Sequence, residues 1–215
     1  MGSRETILAN IAQSLKGLTV ANELPKVNQQ QQSLSVSELL DRFGKEFKKI
    51  NCEMVSCKNY DDAVRTICSM LGESRQLKLM LSKNSLLIDN GFESKIKNAN
   101  QNISIVPYHR EVSSADVSVV VASYAIAETS TVVLRSSPSQ FRSLALLPET
   151  VFVIAKESEL RLSMEEVLTE IKHQSVLKDT SALIFVTGSS RTSDIEKTLV
   201  LGVHGPKRLV VIFVP

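Results

Sequence analysis

Leu209-Val210-Val211-Ile212-Phe213-Val214 and Val117-Ser118-Val119-Val120-Val121 are the two stretches that decide the fold. Successive side chains of a strand point to opposite faces, so a continuously apolar strand must be covered on both sides. That condition is met in a mostly parallel sheet packed between other layers.

Working outward, short β-rich runs at 53–57, 77–81, 103–107, 131–134, 151–155 and 182–187 alternate with helical patterns at 61–71, 164–173 and 194–201. A polar stretch separates the second and third of these runs. The alternation predicts βαβ units and an open, three-layer, mostly parallel α/β fold, with residues 117–121, 183–186 and 209–213 together in the central sheet.

Upstream, Ser35-Val36-Ser37-Glu38 has the form of a capping box, and Val36, Leu39, Leu40, Phe43 and Phe47 follow as the apolar stripe of a helix. Before it lies a polar run, 28–33, containing four consecutive glutamines, which has nothing to bury and reads as a linker. Ile7, Leu8, Ile11 and Leu15 give residues 4–15 a short amphipathic pattern. The expected division is therefore an N-terminal helix and Gln-rich linker over 1–34 and one domain over 35–215.

Lys and Arg total 25 against 23 Asp and Glu, and a net charge of +2 supplies no field for nucleic acid or an anionic membrane. Cys52, Cys57 and Cys68 have no CxxC spacing, which argues against a disulfide framework or a structural zinc. Residues 1–17 lack the apolar core of a signal peptide, and no run approaches the roughly 20 apolar residues of a membrane span, so a cytoplasmic location is expected. Lys45, Lys48 and Lys49 read as a solvated helix face.

The segment richest in chemistry is Thr187-Gly188-Ser189-Ser190-Arg191-Thr192-Ser193-Asp194, followed by Gly202-Val203-His204-Gly205-Pro206. One reading is a strand ending in a small-residue loop that opens a helix, where free N–H groups, hydroxyls and Arg191 receive an anion. The other is that the hydroxyls only cap the helix and the glycines only turn the backbone.

The run from Gly188 to Pro206 resembles the C-terminal signature of the lactate-utilization (LUD) domain family. Ala115-Asp116-Val117, then Ala125-Ile126-Ala127-Glu128-Thr129-Ser130-Thr131-Val132-Val133-Leu134, is similar to that family's central AIAETGT stretch, and residues 143–153, with Leu147-Pro148 ahead of an apolar strand, are a third, weaker match to the family. The resemblance runs from about Ala115 to Pro215. Ser130 departs from it, standing where the family usually has glycine; a positive φ there would strain serine by about 1 kcal/mol or more.

The resemblance implies a fold similar to that of glucosamine-6-phosphate deaminase, ribose-5-phosphate isomerase and the CoA transferases, with a pocket at the carboxyl ends of the strands. On that view the loops after Val121, after Val186 and around Glu128 converge on one pocket, as they do at open α/β sheets generally. Glu128 is the candidate catalytic carboxylate, against the alternative of a turn residue. Gly188, Ser189, Ser190, Arg191, Thr192 and His204 are the candidate anion-binding set, against the alternative that His204 only fixes its turn. His109 and His173 carry no ligand spacing, and no metal is expected.

The function implied is that of an accessory subunit supporting iron–sulfur-dependent oxidation of L-lactate to pyruvate, with the clusters on partner iron–sulfur proteins. Three scattered cysteines do not make a cluster site. The alternative is an enzyme acting on a phosphorylated or carboxylated small molecule.

Overall fold

The computed structural model describes residues 3–16, 34–109, 112–173, 179–192, 200–202 and 204–215. The chain divides into two units, Met1–Ser33 and Leu34–Pro215. In the first, helix α1 (Ser3–Ser14) buries none of its residues, and Ile7, Leu8, Ile11 and Leu15 are each at least 50% exposed. The Gln-rich linker expected over 28–33 lies outside the described residues.

The second unit opens with α2 (Val36–Lys49), whose start is the capping box read from the sequence. The Glu38 N–H donates to Ser35 Oγ at 3.3 Å, and the Ser35 N–H donates back to Glu38 Oε2 at 2.8 Å. These bonds satisfy helix N–H groups that have no intrahelical acceptor. Leu39, Phe43 and Phe47 form the buried face, and the Phe43 ring stands edge-on to Phe213, 5.1 Å between centroids.

A six-stranded, wholly parallel sheet follows. It is built from β1 (Glu53–Ser56), β2 (Leu77–Leu81), β3 (Ile103–Ile105), β4 (Val117–Val121), β7 (Thr150–Lys156) and β12 (Arg208–Val214), in the order β1-β12-β7-β4-β2-β3. The pairs Val211↔Val153 and Val120↔Val153 fix the register at its centre.

Alternate residues of the continuously apolar strands serve two cores. Val117, Val119, Phe152, Ile154, Val210 and Ile212 face one side, where α3 (Tyr60–Leu71), α4 (Ser85–Asp89) and α5 (Phe92–Ala99) pack. Val120, Val151, Val153, Leu209, Val211 and Phe213 face the other, against α2 and a second sheet. Both α4 and α5 fall in the stretch that reads as polar. At five and eight residues they are too short for a helical period to stand out.

The second sheet has the order β8-β5-β6-β9, with β5 (Tyr124–Ile126) and β6 (Thr131–Ser136) forming a hairpin, and β8 (Leu160–Arg161) and β9 (Ala182–Val186) at its edges. Two expectations are corrected here. Residues 183–186 are not in the central parallel sheet: β9 pairs antiparallel with β6, Val132↔Val186, and Phe185 is 37% exposed. The architecture is also not three simple layers, because the second sheet is itself covered outside by α6 (Met164–His173) through Tyr124, Ile126, Val133, Val167 and Ile171. A short apolar run does not by itself say which sheet it joins.

Candidate functional site

The residues singled out by sequence gather where the second sheet meets α2. Glu128 lies in the turn between β5 and β6, half exposed, with Oε1 3.4 Å from an Arg42 guanidinium nitrogen. Its backbone N–H donates to the Leu162 carbonyl at 3.1 Å. A pair this exposed contributes roughly 0–1 kcal/mol.

Next to it, Ser130 is fully buried at φ +50°, the left-handed backbone that a glycine would hold without strain. Its hydroxyl donates to the Phe43 carbonyl in α2 at 2.7 Å. The turn continues into a hydroxyl chain, Thr129 Oγ1 to Thr131 Oγ1 and Thr131 Oγ1 to Thr187 Oγ1, each 2.8 Å. The turn that carries Glu128 is thus tied to Thr187, the residue before the 188–192 segment.

That segment does not have the geometry of a strand-to-helix anion loop. Arg191–Thr192 form β10, antiparallel to β11 (Val200–Leu201), so the helix expected over 194–201 gives way to a strand at its end; residues 193–199 lie outside the described set. The Ser190 N–H donates to the Pro206 carbonyl and the Ser190 carbonyl accepts from Gly202, each at 2.9 Å. The Ser189 N–H points to Cys52 Sγ at 3.4 Å.

Two of the N–H donors meant for an anion, those of Ser189 and Ser190, are committed to the protein. Gly188 is glycine because of crowding: a Cβ there would lie 3.0 Å from Ile50 Cδ1 and 3.3 Å from Cys52 Sγ. The Arg191 side chain is exposed, Thr192 is half-buried, and the His204 N–H donates to Ser190 Oγ at 3.3 Å.

The location is corrected as well. Cys52 precedes β1 and Pro206 precedes β12, so the loop at 188–190 sits by the amino ends of the parallel strands. The loop after Val121 leaves from the carboxyl ends, so the three loops do not share one pocket.

At the carboxyl ends of β2 and β3 the structure has a cavity of about 740 Å³. Its wall contains none of the sequence-derived candidates. Above it lie α4 and α5, and apolar lining comes from Leu87, Phe92, Val106 and Tyr108. The chain leaves β2 toward β3 and leaves β4 toward β7, in opposite directions across the sheet. That switch falls between β2 and β4, and the cavity lies on the β3 side of it.

Lys83 is positioned at this end by its N–H, which donates to the Ser139 carbonyl at 2.8 Å. The 137–140 turn is held in turn by Gln140, which exchanges two hydrogen bonds with Val121, at 2.8 and 2.9 Å. Tyr108 stacks on Phe141 at 4.8 Å between centroids and donates to the Pro138 carbonyl at 2.9 Å. Burial pushes its phenol pKa up, which keeps it a neutral donor.

The signal missed in the sequence is Leu81-Ser82-Lys83-Asn84-Ser85, a strand end running straight into a helix cap. Asn84 accepts from the Leu86 N–H at 3.0 Å. Among the described residues no group of three or more His, Cys, Asp or Glu could hold a metal ion, and no helix is long and apolar enough to cross a membrane.

Comparison with known proteins places these features in a family. A protein named Lactate utilization protein C from Halalkalibacterium halodurans is 40% identical over 102 residues, an alignment covering 46% of this chain and 44% of that one. A second relative of that name, from Exiguobacterium sp., is 26% identical over 84% of this chain and 79% of its own length. YkgG of Escherichia coli K12, an uncharacterized protein, is 28% identical over 90% and 84%. The crystal structure of a DUF162 family protein from Deinococcus radiodurans superposes with a TM-score of 0.60 at 20% identity, covering 85% of this chain and 99% of that one, and shares the fold. The model of the LUD domain matches residues 40–214, nearly all of the second unit, and the chain belongs to the LUD domain family.

Proposed function

We propose that this chain serves lactate utilization as an accessory subunit, supporting oxidation of L-lactate to pyruvate by partner proteins that carry iron–sulfur clusters. The carrying observation is the LUD match over residues 40–214 together with relatives named Lactate utilization protein C.

The chemistry of its thiols is in keeping with clusters held elsewhere. Iron–sulfur ligands are thiolates, whereas Cys57 and Cys68 are buried and burial raises the pKa of both. Reconstituted lactate oxidation by the iron–sulfur partners, with and without the chain, tests the reading. The expected result is co-purification with them and a rate that falls on omission and returns on addition. Equal rates in both arms and no association would refute it.

A second reading, an activity on a phosphorylated or carboxylated small molecule, draws on the cavity at the carboxyl ends of β2 and β3 and not on Glu128. Glu128 lies instead in a surface ion pair.

A further inference from the structure

The geometry points to the cavity between α4–α5 and the carboxyl ends of β2 and β3 as a binding site for an organic anion with an apolar body, its phosphate or carboxylate headgroup held by Ser82, Lys83 and the amino end of α5. This assignment is independent of any role in lactate oxidation.

Four observations meet there. The first is Ser82, 3% exposed, a wall residue of the cavity; its Oγ is the buried side-chain polar atom left without a hydrogen-bond partner among the described residues. Buried hydroxyls are nearly always paired, so an orphan beside a cavity marks a place for a polar ligand atom.

The second is α5, which enters the cavity wall with Gly91 at its N-cap. Glycine has no side-chain acceptor, and no side-chain cap bond is made to the first-turn N–H groups. Those groups, at the positive end of the helix dipole, suit an anion. Ser94 Oγ does not fill the gap, because it donates to the Gly91 carbonyl at 3.0 Å.

The third is charge. Lys83 and Lys97 both line the cavity against a single carboxylate, Glu93, which is paired to Lys97 at 2.6 Å. Lys83 Nζ rests over the Tyr108 ring, 5.6 Å from its centroid, a contact that an anion in the cavity can share.

The fourth is size. A volume of about 740 Å³ lies within the range of sites for metabolite- or drug-sized ligands and far exceeds what lactate fills. The apolar lining from Leu87, Phe92, Val106 and Tyr108, with Ile88 62% exposed at the rim, suits a ligand body that is not charged throughout.

The test is an amide-resolved NMR titration of the full chain with inorganic phosphate, phenyl phosphate, benzoate and benzyl alcohol. Expected are saturable shifts at residues 82–84 and 92–94, with phenyl phosphate binding about 10-fold tighter than inorganic phosphate because the apolar walls contribute. The ratio of phenyl phosphate to benzoate affinity distinguishes the two headgroups. Lys83→Ala should weaken the anionic probes about 10-fold and leave benzyl alcohol unchanged. Lys97→Ala, at the exposed rim, guards against a folding artefact and should weaken them less. Shifts confined to residues 188–192, equal binding of benzyl alcohol and phenyl phosphate, unaltered affinity in both lysine variants, or no saturable shift with any probe would each overturn the assignment.

Discussion

Replacing Ser130 by Gly and by Ala separates two opposing contributions at one buried atom. At φ +50° a residue with a Cβ is strained by roughly 1–2 kcal/mol, while the 2.7 Å bond from its hydroxyl to the Phe43 carbonyl returns about 0.5–1.5 kcal/mol net. Ser130→Ala keeps the strain and loses the bond. The Phe43 carbonyl still accepts within α2, so it is not orphaned, and the cost should be about 1–2 kcal/mol. Ser130→Gly loses the bond too but sheds the strain, offset in part by the larger freedom of glycine in the unfolded chain. Its expected cost is about 0–1 kcal/mol.

The decisive quantity is the order of the two variants. At an ordinary backbone position Gly is less stable than Ala by about 0.5–1 kcal/mol. Here Gly should be more stable than Ala by about 1 kcal/mol. The chain has no Trp, so urea unfolding is best followed by far-UV circular dichroism, with equal m-values required before midpoints are compared. If Ala equals or exceeds Gly, Ser130 is not strained and its hydroxyl is not a compensation for departing from the family's glycine.

Three further outcomes are expected. Ser82→Ala removes a buried hydroxyl that lacks a partner and should stabilise the unliganded chain by about 1 kcal/mol, a rise of roughly 2–4 °C in melting temperature, while weakening phenyl phosphate binding; a fall in melting temperature would contradict the orphan assignment. Arg161 holds Glu170 through bonds of 2.5 and 2.9 Å, and this holds the Glu170 carboxyl below its ordinary value of 4.5. The unfolded chain then takes up the proton first, so the stabilisation is present above about pH 4.5 and is lost as pH falls through the folded value. The stability gap between wild type and Arg161→Met should accordingly be largest near pH 7 and close on acidification; a gap constant with pH counts against it. Residues 3–14 should exchange amide protons far faster than 36–49, since α1 buries none of its residues; equal protection of the two helices would count against this.

Local chemistry was legible in the sequence and long-range partnership was not. The Ser35–Glu38 capping box and the apolar stripe of α2 were readable because every bond involved lies within four residues. Strands β4 and β12 were readable because apolar side chains on both faces are a property of the strand itself. By contrast β5 and β8, three and two residues long, exist only through their neighbours. Placing β9 required knowing that Val186 pairs with Val132.

The 188–192 segment makes the same point at the level of function. Small polar residues with glycine before them suit an anion loop, a helix cap or a tight hairpin equally, and the choice is made by partners far away in the chain. Pro206 takes the Ser190 N–H, Gly202 takes its carbonyl, and Cys52 takes the Ser189 N–H. The loop whose Ser189 and Ser190 N–H groups are committed in this way joins the second sheet to the amino ends of β1 and β12, and an anion at those two groups would have to displace bonds already made. At the other end of the sheet the condition is reversed: Ser82 has a buried donor with no acceptor, and α5 begins at a residue that cannot cap it. Unspent hydrogen-bonding capacity beside a cavity, more than residue type, separates a binding site from a structural joint.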